Sequence, residues 1–122
     1  MIIGVGIDAL EISRMARELA QDGRGFTEGL FLPEEIARGE CAPQPAACFA
    51  SLFAAKEALI KALSITRVDT AIYREMEVRP GPEGVRLSGR ALFAARKRRV
   101  TSIRLSCVET GGLAVAAAIL EA

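Results

Sequence analysis

The sequence predicts an α+β fold, an antiparallel sheet packed on one long central helix, for three reasons. Residues 49–63, FASLFAAKEALIKAL, are apolar almost all round a helical wheel of about 100° per residue, the mark of a buried helix. Residues 101–108 and 113–120 are two strand-like runs joined at Gly111-Gly112, which reads as an antiparallel hairpin. Residues 2–7 form a short apolar run with glycines at 4 and 6, read as a further strand that ends at Asp8.

The elements follow in order. Residues 10–20 carry apolar side chains at 10, 12, 15, 16, 19 and 20, a helical period with Arg14, Arg17 and Glu18 on the outer face. Asp22-Gly23-Arg24-Gly25 breaks that helix, and residues 26–31 are ambiguous. Pro33-Glu34-Glu35 starts a short helix that should fade by Gly39, because proline suits an early helical position and acids suit the first turn. Pro43 and Pro45 mark a loop before the central helix, read over 46–65. Residues 73–79 alternate like a half-buried strand, 80–84 form a turn, and 85–87 return. Ser88 is placed to cap a helix to about Arg98. With no repeat, linker or low-complexity tract, residues 1–122 are read as a single domain.

Composition narrows the chemistry. Hydrophobic residues make up 51% and charged residues 25%, and 16 basic against 15 acidic side chains leave a net charge of +1. Such a balance argues neither for nor against nucleic acid, and no nucleic-acid partner is expected. The chain has no histidine, which removes the usual general base, the usual zinc ligand and every Ser-His or Cys-His mechanism. Cys41, Cys48 and Cys107 lack CxxC spacing, so the expectation is buried thiols in a reducing cytosol, with neither zinc nor disulfides. The first residues run straight into a strand with no basic leader, and Lys56, Glu57 and Lys61 each oppose membrane insertion by about 2.5–3.5 kcal/mol. A cytoplasmic protein with no membrane partner is expected.

Two carboxylates stand out. Asp8 has two readings: a D-x-x-E capping box with Glu11, or one ligand of a metal. Glu57 has a salt bridge to Lys61 at i+4 as its plain explanation, an explanation that weakens on a buried helix. A strand-end acid, a mid-helix acid and a lysine one turn away suit a divalent cation with phosphate, since magnesium takes one or two protein carboxylates and completes its octahedron with phosphate and water. The glycines of GVG at 4–6 suit close backbone packing better than a dinucleotide fingerprint. Arg96-Lys97-Arg98-Arg99 reads as a solvated helix end or, less simply, an anion-binding run.

Gly4 to Arg14 reads GVGIDALEISR, a G-x-G-x-D-x-x-E-I-x-R segment, and Phe53 to Ala62 reads FAAKEALIKA, an F-A-x-K-E-A-x-x-K-A helix. Together, at this spacing, they resemble the holo-[acyl-carrier-protein] synthase family, the small-type 4′-phosphopantetheinyl transferases, nearly end to end. The resemblance implies a 4′-phosphopantetheinyl transferase-like fold and magnesium-dependent transfer of the phosphopantetheine arm of coenzyme A to a serine of apo-acyl carrier protein, in fatty acid or polyketide synthesis, releasing adenosine 3′,5′-bisphosphate. It implies that Asp8 and Glu57 hold magnesium with the pyrophosphate, that Lys61 lies close to the phosphates, and that Arg14 faces the acidic carrier, as members are typically homotrimers with sites between subunits. Asp8, Glu57 and Lys61 are thus the expected catalytic set, and Ser106 joins Lys61 as an expected coenzyme A contact. Arg17 and Arg24 extend the positive face around Arg14. Without histidine, the serine proton falls to Glu57 or to a water on the metal. The chain departs from the family pattern at Leu52, where many members have arginine, at Ser64-Ile65-Thr66 in place of Gly-Thr-Gly, and at Ser106-Cys107 in place of Ser-His. Those departures motivate two alternatives: a carrier-binding module without catalysis, or an assembly element whose helix charges only pair internally.

Overall fold

The computed structural model describes residues 1–81 and 84–122. Strand β1 (Ile2–Glu11) leads into helices α1 (Ile12–Asp22), α2 (Arg24–Leu30), α3 (Pro33–Glu40) and α4 (Pro45–Ala62). A helical turn α5 (Thr70–Tyr73), strands β2 (Met76–Val78) and β3 (Val85–Leu87), helix α6 (Gly89–Lys97) and strands β4 (Ser102–Thr110) and β5 (Leu113–Glu121) complete the order. The main sheet is antiparallel in the order β1-β5-β4, and β2 and β3 form a separate antiparallel pair.

The central strand β5 alternates strictly. Ala114, Ala116, Ala118 and Leu120 are buried against α4, whereas Val115, Ala117 and Ile119 face the other way and are only partly covered. Helix α4 is apolar on nearly every side because it is covered by the sheet, by α1 and by α3. Its fit to β1 depends on two glycines. A Cβ on Gly4 would stand 2.4 Å from the Ala62 carbonyl oxygen, and one on Gly6 would stand 1.9 Å from that of Ala58. Close backbone packing is therefore what the GVG segment does, and it brings the strand that carries Asp8 directly onto the helix that carries Glu57. Arg98 fastens the same seam: one guanidinium nitrogen donates to Ala62 O at 2.6 Å and the other to Ile3 O. One member of the basic run at 96–99 is therefore structural, while Arg96 and Lys97 remain exposed in the last turn of α6.

Several local expectations are corrected. Strand β1 continues past Asp8 to Glu11, paired with β5 as far as Leu113, and α1 begins only at Ile12. Asp8 is opposite Ala116 within the ladder, so it caps nothing; the long-range pairing outweighs a local box pattern. The helix break is confined to Gly23 (φ +54°), and the ambiguous 26–31 segment is mostly helix α2. Only Met76–Val78 of the expected 73–79 strand is extended, because Asp69 accepts from Ile72 N at 3.2 Å and caps a helical turn ending at Tyr73. Ser88 lies at the start of α6 without a side-chain cap bond; the Glu75 carboxylate takes Arg90 N at 2.5 Å instead. The turn expected at 80–84 lies partly outside the described residues. The three thiols are unpaired, but Cys41 and Cys107 are exposed, contrary to the buried thiols expected.

Candidate active site

The stripe of α4 left uncovered by its neighbours holds Phe53, Glu57 and Lys61, spaced one turn apart. With Asp8, Leu10 and Arg14 they line a cleft of about 460 Å³ between β1, α4 and α1. The reading of Glu57 and Lys61 as buried charges is thereby corrected. Glu57 is half-buried and Lys61 is exposed, because a helical wheel gives the spacing of a stripe but not which stripe the fold covers.

Lys61 does not pair with Glu57. Its Nζ donates to Ile7 O at 2.9 Å and to Asp8 Oδ1 at 3.0 Å, which ties the end of α4 to β1. Glu57 Oε1 accepts a 2.6 Å hydrogen bond from the hydroxyl of Tyr73, whose ring stacks on Phe53 with centroids 5.3 Å apart and planes 14° apart. Burial above all, then the hydrogen bond to Glu57 and the negative charges of Glu57 and Asp8, push the Tyr73 phenol well above its ordinary pKa. At neutral pH it is a donor. Among the described residues, Asp8 Oδ2 and Glu57 Oε2 receive no protein hydrogen bond, so each acid keeps one oxygen for something else.

Behind this stripe stands the one charge on α4 that is fully buried. Lys56 is 0% exposed and uses all three ammonium donors, to Glu35 Oε1 at 2.7 Å, Tyr73 O at 2.6 Å and Met76 O at 2.9 Å. Glu35, also 0% exposed, accepts from Leu32 N at 2.9 Å and Val78 N at 2.8 Å. Burial pushes the Lys56 pKa down, opposed by the charge and hydrogen bond of Glu35. Strand β2 pairs with β3 on one edge; on its other edge Lys56, Glu35 and Arg38 (to Val78 O, 2.6 Å) occupy the backbone groups a further strand would take.

The remaining expected site residues lie in different places. Arg14 and Arg17 are exposed on α1, and Arg14 lines the cleft. Arg24 is exposed but reaches Glu28 and Glu40 at 3.3 Å each, so its charge is answered locally. Ser106 pairs with Ala117, and Asp8 with Ala116, so the two side chains leave opposite faces of the sheet. Ser106 does not line the Asp8 cleft. Tyr73 and the Lys56–Glu35 pair were missed from sequence. One signal was present: Lys56 falls in line with Leu52, Leu59 and Leu63, a buried spacing where a lone cation needs a partner.

Both carboxylates fit a magnesium ion by donor chemistry: two hard oxygen ligands on an open cleft, with room for phosphate and water. Among the described residues, no group of three acidic, thiol or imidazole side chains converges to cage a metal.

The comparisons point to one family. The family model for the 4′-phosphopantetheinyl transferase superfamily matches residues 4–117. A holo-[acyl-carrier-protein] synthase of Trichlorobacter lovleyi is 42% identical over 125 aligned positions, covering 100% of this chain and 99% of the relative. The holo-[acyl-carrier-protein] synthase of Neisseria meningitidis has the same fold, with a TM-score of 0.84 at 26% identity and full coverage of both chains. The Bacillus anthracis holo-(acyl-carrier-protein) synthase, solved in complex with CoA (3′,5′-ADP), superposes with a TM-score of 0.74 at 26% identity, over 98% of this chain and 96% of that one. With a family match across nearly its whole length and the matched helix motif lining a cleft, this chain belongs to the 4′-phosphopantetheinyl transferase superfamily, in its holo-[acyl-carrier-protein] synthase family.

Proposed function

We propose that this chain transfers the 4′-phosphopantetheine arm of coenzyme A to a serine of apo-acyl carrier protein, using magnesium, and releases adenosine 3′,5′-bisphosphate. The observation that carries the reading is the convergence of Asp8 from β1 with Glu57 and Lys61 from α4 on one open cleft. The serine hydroxyl loses its proton to water in the cleft and its oxygen bonds to phosphorus as the bond from that phosphorus to the adenosine bisphosphate oxygen breaks. Transfer of this kind depends on positioning and on stabilising charge that develops on oxygen. Asp8 and Glu57 would hold the magnesium through the oxygens their protein partners leave open. When bound, the ion supplies neutralisation of the pyrophosphate oxygens. Lys61 spends two N–H donors on Ile7 and Asp8, which leaves the third for a phosphate oxygen.

Arg14 and Arg17 form the positive approach for an acidic carrier protein, steering encounter more than adding affinity. Arg24, tied to two glutamates, contributes less. The reading includes a homotrimer closed through the outer face of the main sheet. That face exposes Val5 (55%), Ile7 (61%) and Val108 (54%), an apolar surface that calls for cover. Ser106 is on this face and would serve a coenzyme A site shared with a neighbouring subunit. No helix among the described residues is long and apolar enough to cross a membrane.

The departure at Ser64 speaks for an active enzyme over a binding module. Ser64 adopts φ +57°, with its N–H on Lys61 O and the Ile65 N–H on Ile60 O, so the chain keeps the left-handed helix end that glycine would make. The decisive experiment mixes the protein with magnesium, coenzyme A and the organism's apo-carriers and weighs the carriers by mass spectrometry. Addition of the arm, lost in Asp8→Ala and Glu57→Ala variants that still fold, is expected. A protein that binds carrier but modifies none is the module, and the proposal fails.

A further inference from the structure

We infer that Tyr73 is a positioning residue for the divalent cation, holding the Glu57 carboxylate in the orientation that a metal ligand needs. The inference rests on the reading of Glu57 as a ligand of that cation. Glutamate has three rotatable bonds, and a half-buried one beside an open cleft is not fixed by packing alone. Here it is fixed from one side: the Tyr73 hydroxyl donates to Oε1 at 2.6 Å and leaves Oε2 without a protein partner among the described residues.

Tyr73 is itself held at three points by the same helix. Its ring stacks on Phe53, its carbonyl receives Lys56 Nζ at 2.6 Å, and its hydroxyl meets Glu57. Residues 53, 56 and 57 share one side of α4, so the phenol is locked to the helix whose glutamate it orients. The buried Lys56–Glu35 pair, neither member of which lines the cleft, thereby acts on the site through the backbone of Tyr73. Outer partners of this kind set ligand orientation, and their removal typically weakens metal affinity about 10- to 100-fold.

The chain offers its own readout, since Tyr73 is the only tyrosine and there is no tryptophan. A carboxylate that accepts from a phenol quenches its emission. Magnesium on Glu57 withdraws that charge, so Tyr73 emission is expected to rise with magnesium in the wild type and to stay flat in Glu57→Gln. The experiment titrates magnesium, with coenzyme A present and carrier absent, into wild type, Tyr73→Phe and Glu57→Gln, by calorimetry and, where tyrosine remains, by emission. Activity is then measured against magnesium concentration.

Tyr73→Phe keeps the ring on Phe53. It is expected to weaken magnesium about 10-fold or more, with kcat recovering at saturating magnesium, whereas a merely structural defect lowers kcat at every concentration. Should the variant fold poorly, the wild-type emission decides the matter. Equal magnesium affinity in wild type and Tyr73→Phe, or wild-type emission that ignores bound magnesium, overturns the role of Tyr73 and leaves the Glu57 assignment standing. Magnesium affinity unchanged in Glu57→Gln overturns that assignment, and this inference with it.

Discussion

Replacing Lys56 by methionine removes a cation that no solvent reaches. Glu35 is then left at 0% exposure with only Leu32 N and Val78 N as partners, and the carbonyls of Tyr73 and Met76 lose their donor. Breaking a buried pair from one side costs about 3–5 kcal/mol. Against a total stability of about 5–15 kcal/mol for a domain, that is a large share. The informative comparison is the double variant Lys56→Met/Glu35→Leu. If the pair were only an ion pair, an apolar replacement of similar size would be neutral or stabilising. The structure gives it a second task, closing the open edge of β2. Leu32 N, Tyr73 O, Met76 O and Val78 N all lose partners in the double variant, at about 1–3 kcal/mol per buried orphan. The double variant is therefore expected to stay at least about 3 kcal/mol below wild type. Urea unfolding followed by far-ultraviolet circular dichroism, at one protein concentration, measures both. Recovery of the double variant to within about 1 kcal/mol of wild type would refute the edge-closing argument.

Other expectations are briefer. Gly6→Ala drives a Cβ to 1.9 Å from Ala58 O, so β1 must lift from α4; a loss of about 1–3 kcal/mol or more and of transfer activity is expected, and a fully active, equally stable variant would contradict the packing. Ser64→Gly relieves a left-handed serine worth about 1–2 kcal/mol of strain, offset in part by the freer unfolded chain, so a small rise in melting temperature is expected, and a fall counts against it. Ile7→Lys puts a charge on the outer sheet face, and light scattering should show a smaller species than wild type; an unchanged mass would sink the proposed assembly face. Asp69 and Glu121 have pKa values held below their ordinary 3.8 and 4.5, chiefly by hydrogen bonds from Arg90 and Arg104. Because the folded values are depressed, the stabilisation is whole above those ordinary values and is lost as pH falls through the lower folded ones. Melting temperature should drop more steeply below about pH 4 in wild type than in Arg104→Gln; equal slopes would remove Glu121 from the account.

What could be read from sequence was what repeats with a short period or stands in a contiguous motif. The hairpin joined at Gly111-Gly112 and the all-round apolarity of α4 predicted the sheet-on-helix arrangement, and the two motif segments pointed to Asp8, Glu57 and Lys61, which the fold brings to one cleft. What was missed depends on contacts distant in sequence. Asp8 looked like a cap because Glu11 is three residues on, while the register that extends β1 comes from β5, over a hundred residues away. Lys56 finds Glu35 at a separation of 21, and neither residue names the other locally. Tyr73 fitted an alternating strand pattern until Asp69 capped a helical turn there and turned the phenol to Glu57.

The seating of Gly4 and Gly6 on α4, pinned by Arg98, has a mechanical result. The strand and helix that bear the two acids meet backbone to backbone, with no side-chain cushion between them, so that jaw of the cleft has a set width. Any molecule broader than the gap has to be admitted by displacement of the opposite jaw, formed by α1 and joined to α2 through Gly23.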